Sequence, residues 1–255
     1  HQRAQRNRRQ ALVQLDGLLN DANLSENILS KAKDGLHRQV RVALHFHPDR
    51  ITNNGQTVAR RMLADGLYRN QFETGVSNGS PTAFPGGERD VWERELFDQA
   101  YHAPEVKAHD RPKYGSLQLF PFSDGPSPRF GSCYFLLKQT VLHRSTLTFG
   151  DSHLKPDIVG TIHALEPILA ALLQQVHDQG HALGIEGLAL PDFLSYLAED
   201  RHVGKGDRRR PVRAVDHGAA RHPAGSGGRR PQRDQRSPRG PPARLRPPGD
   251  GRCGY

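Results

Sequence analysis

The segment Leu44-His45-Phe46-His47-Pro48-Asp49-Arg50 is the densest group of chemically active side chains in the sequence. On a β-strand His45 and His47 would lie on the same face, because side chains alternate with a period of two. A histidine or arginine at a strand end can hold a nucleotide phosphate or ribose, so His45, His47 and Arg50 are candidates for cofactor binding. The same two histidines could instead share a metal ion, as in a metal-dependent hydrolase.

Two further segments carry polar side chains that suit a ligand cleft. Gln71 and Thr74 belong to a run, residues 68–79, that is unusually polar for the strand predicted over 67–76. Buried polar groups need hydrogen-bond partners, so such a run is exposed or lines a polar cleft, and we favour the cleft. The segment 144–152 carries hydroxyls that would order a ribose or a catalytic side chain from the two faces of a short strand: those of Ser145, Thr146 and Thr148.

The hydrophobic pattern predicts the elements that would position these residues. Leucines spaced by three and four residues predict helices within 8–45, and alternation before Pro48 predicts a strand over 40–47. Thr57 to Gly66 has the residues of a short capped helix. Later segments of the same two kinds are helices over 89–101, 162–179 and 193–197 and strands over 114–120, 131–138 and 144–149.

The order of these elements predicts the fold class. Helices come first, then strands with short helices, then helices again, which is typical of an α+β fold rather than a regular βαβ series. We therefore expect an N-terminal helical segment over 1–38 and an α+β core over 39–216 with a mixed, twisted sheet. The remaining residues, 217–255, form a separate tail.

The basic charge of the chain is concentrated in its last part. Residues 201–255 hold 15 Lys and Arg against 4 Asp and Glu, and 18 of them are Gly or Pro. The segment has few large apolar side chains, and their burial cannot offset the entropy lost when the backbone is ordered. This composition therefore predicts disorder. The tail has the composition of a solvated linker or a nucleic-acid-binding arm, and also that of GC-rich DNA translated out of frame. Nucleic acid is expected as a partner only through this tail, if the tail is genuine.

The composition also excludes several classes of protein. Two cysteines, Cys133 and Cys253, cannot form a disulfide framework or a four-cysteine zinc site. Apolar stretches remain far shorter than the roughly 20 residues that a membrane span requires. We expect a cytoplasmic protein that has no membrane partner.

Six blocks in order resemble a bacterial family catalogued as domain of unknown function 3626, over roughly residues 35–216. The blocks are LHFHPDR, QFETGVSNG, GGERDVWERELF, RPKYGSL, PRFGSCYF and TLTFGDS. This resemblance implies membership of a family and no particular activity.

A second resemblance implies an activity. Tyr114-Gly115 before a strand, together with the block RSTLTFGDS over 144–152, is similar to the ADP-ribosyltransferase domains of phage minor head proteins. The resemblance implies a split β core that binds NAD, and a protein acceptor. By this likeness His45, His47 or Arg50 would hold NAD, residues 71 and 74 would line the cleft, and residues 145, 146 and 148 would form the Ser/Thr motif.

The same resemblance implies a catalytic glutamate on a later strand, and the sequence departs from it there. The expected place follows Arg213 to His217, yet the sequence has no Glu after Glu199. If the tail is the product of a frameshift, we expect this copy to have lost its catalytic Glu and part of its core sheet, and to be unstable or inactive.

Two alternatives stay open on the residues alone. His47-Pro48-Asp49 matches the signature tripeptide of J-domain co-chaperones, which implies a chaperone-partner module with a helix on each side of the tripeptide. The metal-dependent hydrolase needs a third ligand within reach of His45 and His47, such as His143, Asp151 or His153.

Overall fold

The computed structural model describes residues 2–75, 82–131 and 133–200, which lie within the first of two units of the chain, residues 1–215. Its α-helices are α1 (Gln2–Asp21), α2 (Glu26–Gln39), α3 (Val58–Asp65), α4 (Gln71–Thr74), α5 (Glu88–Leu96), α6 (Glu166–Gln179) and α7 (Leu190–Ala198). Its strands are β1 (Arg41–Phe46), β2 (Ser116–Gln118), β3 (Cys133–Leu136), β4 (Thr146–Thr148), β5 (Val159–Thr161), β6 (His181–Ala182) and β7 (Ile185–Glu186).

Long helices form the apolar core of the protein. The helix α1 packs on α6 and α2 packs on α7, because each helix has leucines along one face. Leu15 of α1, Leu173 of α6 and Phe193 of α7 are all fully buried in the same cluster. The N-terminal helices α1 and α2 therefore form one core together with α6 and α7.

The strands form three small antiparallel sheets. In the largest, β1 lies between β2 and β3, with Val42 opposite Leu117 and Leu44 opposite Phe135. The strands β4 and β5 pair separately, and β6 and β7 form a hairpin. The predicted α+β class is confirmed. Each strand pairing in the described ranges is antiparallel, so the expected mixed sheet is corrected to small antiparallel sheets.

Local capping explains why the short helices begin and end where they do. The Thr57 side chain accepts a hydrogen bond from the Arg60 amide at the start of α3, and Gly66 ends that helix with φ of 66°. A left-handed residue at this position favours glycine because it has no Cβ. The short helix predicted over 57–66 is thus confirmed.

The strand predicted over 67–76 is wrong. Residues 71–74 form α4, whose first turn is closed by a capping box. The Asn70 side chain accepts from the Glu73 amide, and the Glu73 carboxylate accepts from the Asn70 amide. Both bonds satisfy amides that a helix N-terminus leaves unpaired, so local polar chemistry outweighed the weak strand pattern.

The predicted disordered tail, 217–255, lies outside the described residues. In the part of the chain that the structure does describe, none of the helices combines the length and the apolar character required to cross a membrane.

Candidate functional site

A cleft of about 1440 Å³ lies between the three-stranded sheet, the helices α3 to α5 and the strand β4. Its lining includes every side chain that the sequence analysis selected for cofactor binding: His45, His47, Arg50, Gln71, Thr74, Ser145, Thr146 and Thr148. These residues come from three separate segments of the chain, 45–50, 71–74 and 145–148. The fold therefore brings them to one cavity, which is larger than the range of about 300–1,000 Å³ typical of small-molecule sites.

His45 is buried at the base of the cleft and both of its ring nitrogens are engaged. Nδ1 lies 2.7 Å from the Gly131 carbonyl oxygen, and Nε2 accepts a hydrogen bond from the Ser127 amide at 3.2 Å. This pairing requires the tautomer that carries its proton on Nδ1. The ring also stacks on Tyr134 with 5.1 Å between centroids. His45 therefore ties β1 to the loop before β3 and leaves no ring nitrogen for another partner.

Gly131 makes this close approach possible. It has φ of 118°, and a Cβ there would lie 2.0 Å from the Phe46 carbonyl oxygen. Only glycine fits so near the backbone of β1. The glycine of the block PRFGSCYF thus has a packing role beside the imidazole.

His47 and Arg50 lie just beyond β1 and are half-buried. The strand β1 ends at Phe46, so His47 lies outside it. The alternation of a strand therefore does not place His47 on the same face as His45. Both side chains line the cleft from the turn that Pro48 begins.

Gln71 and Thr74 lie on α4, at the opposite wall. The Thr74 hydroxyl donates to the Asn70 carbonyl at 3.1 Å. The Oε1 atom of Gln71 is buried and has no hydrogen-bond partner among the described residues. A buried acceptor left without a donor is costly, so this atom is a strong candidate for contact with a ligand.

The hydroxyl residues lie at and before β4. The Ser145 hydroxyl donates to the Val141 carbonyl at 2.9 Å, and the Thr148 hydroxyl donates to the Gly150 carbonyl at 3.1 Å. Each oxygen keeps lone pairs that can accept a further hydrogen bond. Thr146 is exposed at the mouth of the cleft.

An ionic cluster that the sequence analysis did not identify lies behind the cleft, on α5. Asp90 and Glu93 are buried one turn apart, and the Arg111 guanidinium contacts both carboxylates. The Tyr114 hydroxyl donates to Glu93 at 2.8 Å. The missed signal was the pair of acids at i and i+3 beside Trp92, since residues at this spacing share a helix face.

Burial and pairing shift these two carboxyl groups in opposite directions. Burial raises the pKa of Glu93 despite the hydrogen bonds from Tyr114 and Arg111 and the charge of Arg89. Burial also opposes ionisation of Asp90, but the Gly86 amide and Arg111 lower its pKa overall.

This cluster fixes the side chains that it presents to the cleft. Arg89 lies over the rings of Trp92 and Tyr114, at 4.9 Å from each centroid, while Arg111 lies 4.4 Å from the centre of the Phe72 ring. The Nε atom of Arg89 is buried without a hydrogen-bond partner in the described ranges. Arg89, Arg111, Trp92 and Tyr114 all line the cleft. The wall is thus aromatic and cationic.

The lining contains more cationic than acidic side chains, and Arg61, Arg69, Arg89, Arg111 and Arg129 among them form ion pairs with nearby carboxylates. Its cationic side chains are Arg50, Arg61, Arg69, Arg89, Arg111, Lys113, Arg129 and Arg144, against the acidic Glu88, Asp110 and Asp151. Such a cavity attracts anions and strengthens their binding at low ionic strength. The cleft therefore suits a ligand that combines negative charge with aromatic rings.

The geometry removes the support for both alternatives. The J-domain module is wrong, because the strand β1 occupies the position where a helix must precede His47-Pro48-Asp49. The metal-dependent hydrolase loses His45, whose ring nitrogens are both used. Within the described residues, no group of three or more His, Cys, Asp or Glu side chains is arranged to hold a metal.

The sequence profile of the family described as "Protein of unknown function (DUF3626)" matches residues 41–220, which is most of the chain. The chain belongs to this family. The match begins at β1 and includes every element that lines the cleft. The family resemblance read from the six sequence blocks is confirmed.

A phage protein shows a more limited similarity. "Gene 2 protein" of Mycobacterium phage D29 is 32% identical over 119 residues, covering 43% of this chain and 40% of that protein. The chain thus spans less than half of the length of this relative.

Proposed function

We propose that this DUF3626 domain is an ADP-ribosyltransferase-like domain that binds NAD in the cleft. The observation that carries the proposal is the convergence of residues 45–50, 71–74 and 145–148 on one cavity. Residues 45–50 and 71–74 are candidates by their side-chain chemistry and residues 145–148 also by the resemblance to such domains, and nothing in their spacing along the chain requires them to meet. The similarity to a phage protein accords with the resemblance, although its name gives no activity.

The chemistry of the lining fits a dinucleotide. The pyrophosphate of NAD is anionic, and the lining residues Arg50 and Arg144 would supply charge-assisted hydrogen bonds to it. Aromatic rings at Trp92 and Tyr114 offer surfaces for a base. Gln71 Oε1 and Arg89 Nε provide a buried acceptor and a buried donor that lack protein partners in the described ranges.

Each candidate residue would have its own role in binding NAD. His45 keeps the base of the cleft in shape through its contacts with Gly131 and Ser127. His47 and Arg50 would hold the phosphate end. Ser145 and Thr148 would accept hydrogen bonds from ribose hydroxyls, since both already use their protons on backbone carbonyls.

NAD would supply the ADP-ribose group and a nicotinamide leaving group. Transfer requires a carboxylate that stabilises positive charge on the ribose as nicotinamide departs. The glutamate expected after residue 213 is missing from the sequence. We therefore propose that this copy binds NAD and does not transfer ADP-ribose to a protein acceptor.

Calorimetric titration of the full chain with NAD tests the proposal, using Gln71→Met as the informative variant. We expect one NAD per chain and about tenfold weaker binding in the variant, because one good buried hydrogen bond is worth about 1.4 kcal/mol. The stability of Gln71→Met should stay equal or rise, since the change removes an unpartnered buried oxygen.

The matched control is Gln179→Met, which makes the same change at an exposed position on α6. It should bind NAD like the parent chain. Labelled NAD incubated with the chain and cell lysate should give no modified protein. Absence of NAD binding at millimolar concentration, or equal affinities of parent and Gln71→Met, would overturn the proposal.

A further inference from the structure

Two histidine rings meet beside the strand pair of β4 and β5. His143 lies near the end of the 3-10 helix Gln139–Arg144, and His163 lies in the turn between β5 and α6. Nδ1 of His143 is 3.2 Å from Nε2 of His163, and the ring centroids are 5.1 Å apart. Both residues are exposed.

The backbone on each side of the pair is fixed. Thr161 and Ala164 exchange two backbone hydrogen bonds around His163, and the buried Ile162 and Ala164 anchor the turn on both sides. Leu142, also buried, anchors the segment before β4, where the Ser145 amide donates to the Leu142 carbonyl at 3.1 Å. The two imidazoles are therefore held together by rigid backbone, which lowers the entropy lost when they share a ligand.

The distance between the two nitrogens suits a shared metal ion. In a tetrahedral zinc site with Zn–N bonds of about 2.0–2.1 Å, two ligand nitrogens lie about 3.3–3.4 Å apart. Neutral imidazole is a preferred ligand of zinc, copper and nickel. An ion would replace the N–H···N hydrogen bond between the rings, and both rings would turn so that the two nitrogen lone pairs point at it.

Water has access to the remaining coordination positions. The pair opens onto a second cavity of about 420 Å³, lined besides the histidines by Arg144, Ser145, Thr146 and Thr161. Groups of three or more metal-ligating side chains are absent from the described residues. A metal here would have two protein ligands, and water would complete its coordination.

We infer that His143 and His163 form a site for a divalent transition-metal ion of the zinc class. The site is separate from the NAD proposal and needs none of the residues that carry it. The second cavity does share Arg144, Ser145 and Thr146 with the large cleft. A bound ion would therefore fix the segment that presents these residues.

Neighbouring charge moderates the affinity. The pKa of His37 on α2 is lowered by burial and by the nearby His163 and Lys33. Arg144 and Lys33 are cations and Asp34 is an acid in the same neighbourhood. Because net positive charge opposes a dication, we expect affinity well below that of a structural zinc site with four ligands.

Titration of the full, tag-free chain with Zn²⁺ at pH 7.5 tests the inference. Competition with a chromogenic chelator should show one site that becomes at least tenfold weaker in His143→Ala and in His163→Ala. Co²⁺ in place of Zn²⁺ should give visible d–d absorption in the parent chain that both variants lack. His163→Gln should lose the metal as well, because an amide can replace the hydrogen bond to His143 but is a poor zinc ligand.

His177→Ala is the control, since His177 is an exposed histidine elsewhere on α6. It should bind Zn²⁺ like the parent. Circular dichroism establishes that each variant is folded before the titration. If the parent binds no Zn²⁺ more tightly than the two alanine variants do, the inference is overturned, whatever the outcome of the NAD titration.

Discussion

The helical region and the cleft region of this protein are stabilised in different ways. The helices α1, α2, α6 and α7 bury leucines and Phe193 in one apolar cluster. The helices α3 and α4 bury no residue fully, and α5 buries Asp90 and Glu93 beside Trp92 and Leu96. The cleft wall therefore depends on paired charges where the helical region depends on apolar packing.

Each region contains one ionisable side chain that pairs with two side chains of the opposite type, so the two arrangements can be compared directly. In the helical region the buried Glu166 lies between Lys33 at 2.6 Å and Arg8 at 3.1 Å, and both cations reach solvent. In the cleft region Arg111 lies between Asp90 and Glu93, and all three are buried or nearly so. Water can replace a lost partner in the first arrangement and not in the second.

The largest expected effect is in the apolar region, at Phe193. Its side chain is fully buried and stacks on Phe120 with 5.9 Å between centroids. Phe193→Ala should lower the free energy of unfolding by about 3–5 kcal/mol, because it leaves a cavity in a packed core. Urea denaturation followed by circular dichroism measures this loss.

Val13→Ala on α1 is the control for this change, since Val13 is 69% exposed. Its free energy of unfolding should stay within about 0.5 kcal/mol of the parent value. A loss below about 1 kcal/mol in Phe193→Ala would show that the helices do not form the principal core.

The next effect is at Arg111. Arg111→Met keeps the length of the side chain over Phe72 but leaves Asp90 and Glu93 without their shared cation. We expect a loss of about 3 kcal/mol, because an unpaired buried charge costs more than the pair contributes. NAD affinity should also fall, since Arg111 lines the cleft.

Hydrogen exchange localises this effect. In Arg111→Met the amides of α5 should exchange faster than in the parent chain. The amides of α6 should keep the same ranking of exchange rates as in the parent. Arg94→Met is the control, because Arg94 is an exposed member of the same helix and lies 3.9 Å from Asp90. Equal losses in the two variants would mean that the buried charges do not hold the cleft wall.

The smallest expected effect is at Glu166 and depends on pH. The pKa of Glu166 is lowered by Lys33 and Arg8, which outweigh burial. A carboxyl group with a lowered folded pKa stabilises the fold above its unfolded pKa of about 4.3, and this contribution is lost as the pH falls through the folded value.

Glu166→Gln removes this dependence. The parent should exceed the variant in stability by about 1 kcal/mol at pH 7, and the difference should shrink as the pH falls below the unfolded pKa of about 4.3 and vanish below the lowered folded pKa of Glu166. Thermal unfolding of both chains from pH 7 to pH 3 measures it. A difference that grows on acidification would contradict the assigned direction of the shift.

How much could be predicted from the sequence differs between the two regions for a physical reason. The helices α1, α2, α6 and α7 were predicted because leucine periodicity records which face is buried. The strand β1 was predicted from its alternation and from Pro48. The helix α4 was missed, because its capping box is formed by Asn70 and Glu73 in a polar run without periodicity.

The candidate site was predictable as residue types and not as contacts. His45 was selected for its chemistry, but its ring nitrogens are used by the Gly131 carbonyl and the Ser127 amide. Asp90 and Glu93 were not selected, because a charge on a helix is usually solvated. Their burial depends on Arg111, which comes from a separate segment and pairs with both carboxylates only in the folded protein.

The sequence by itself determined the α+β class, the apolar faces of the long helices and the set of polar residues available for chemistry. Those properties follow from local periodicity and side-chain type, which each segment carries alone. The tertiary structure decided that residues 45–50, 71–74 and 145–148 line one cleft, that Arg111 joins two buried acids, and that His143 meets His163. Such contacts depend on segments far apart in the chain, and only the packing of the whole domain brings them together.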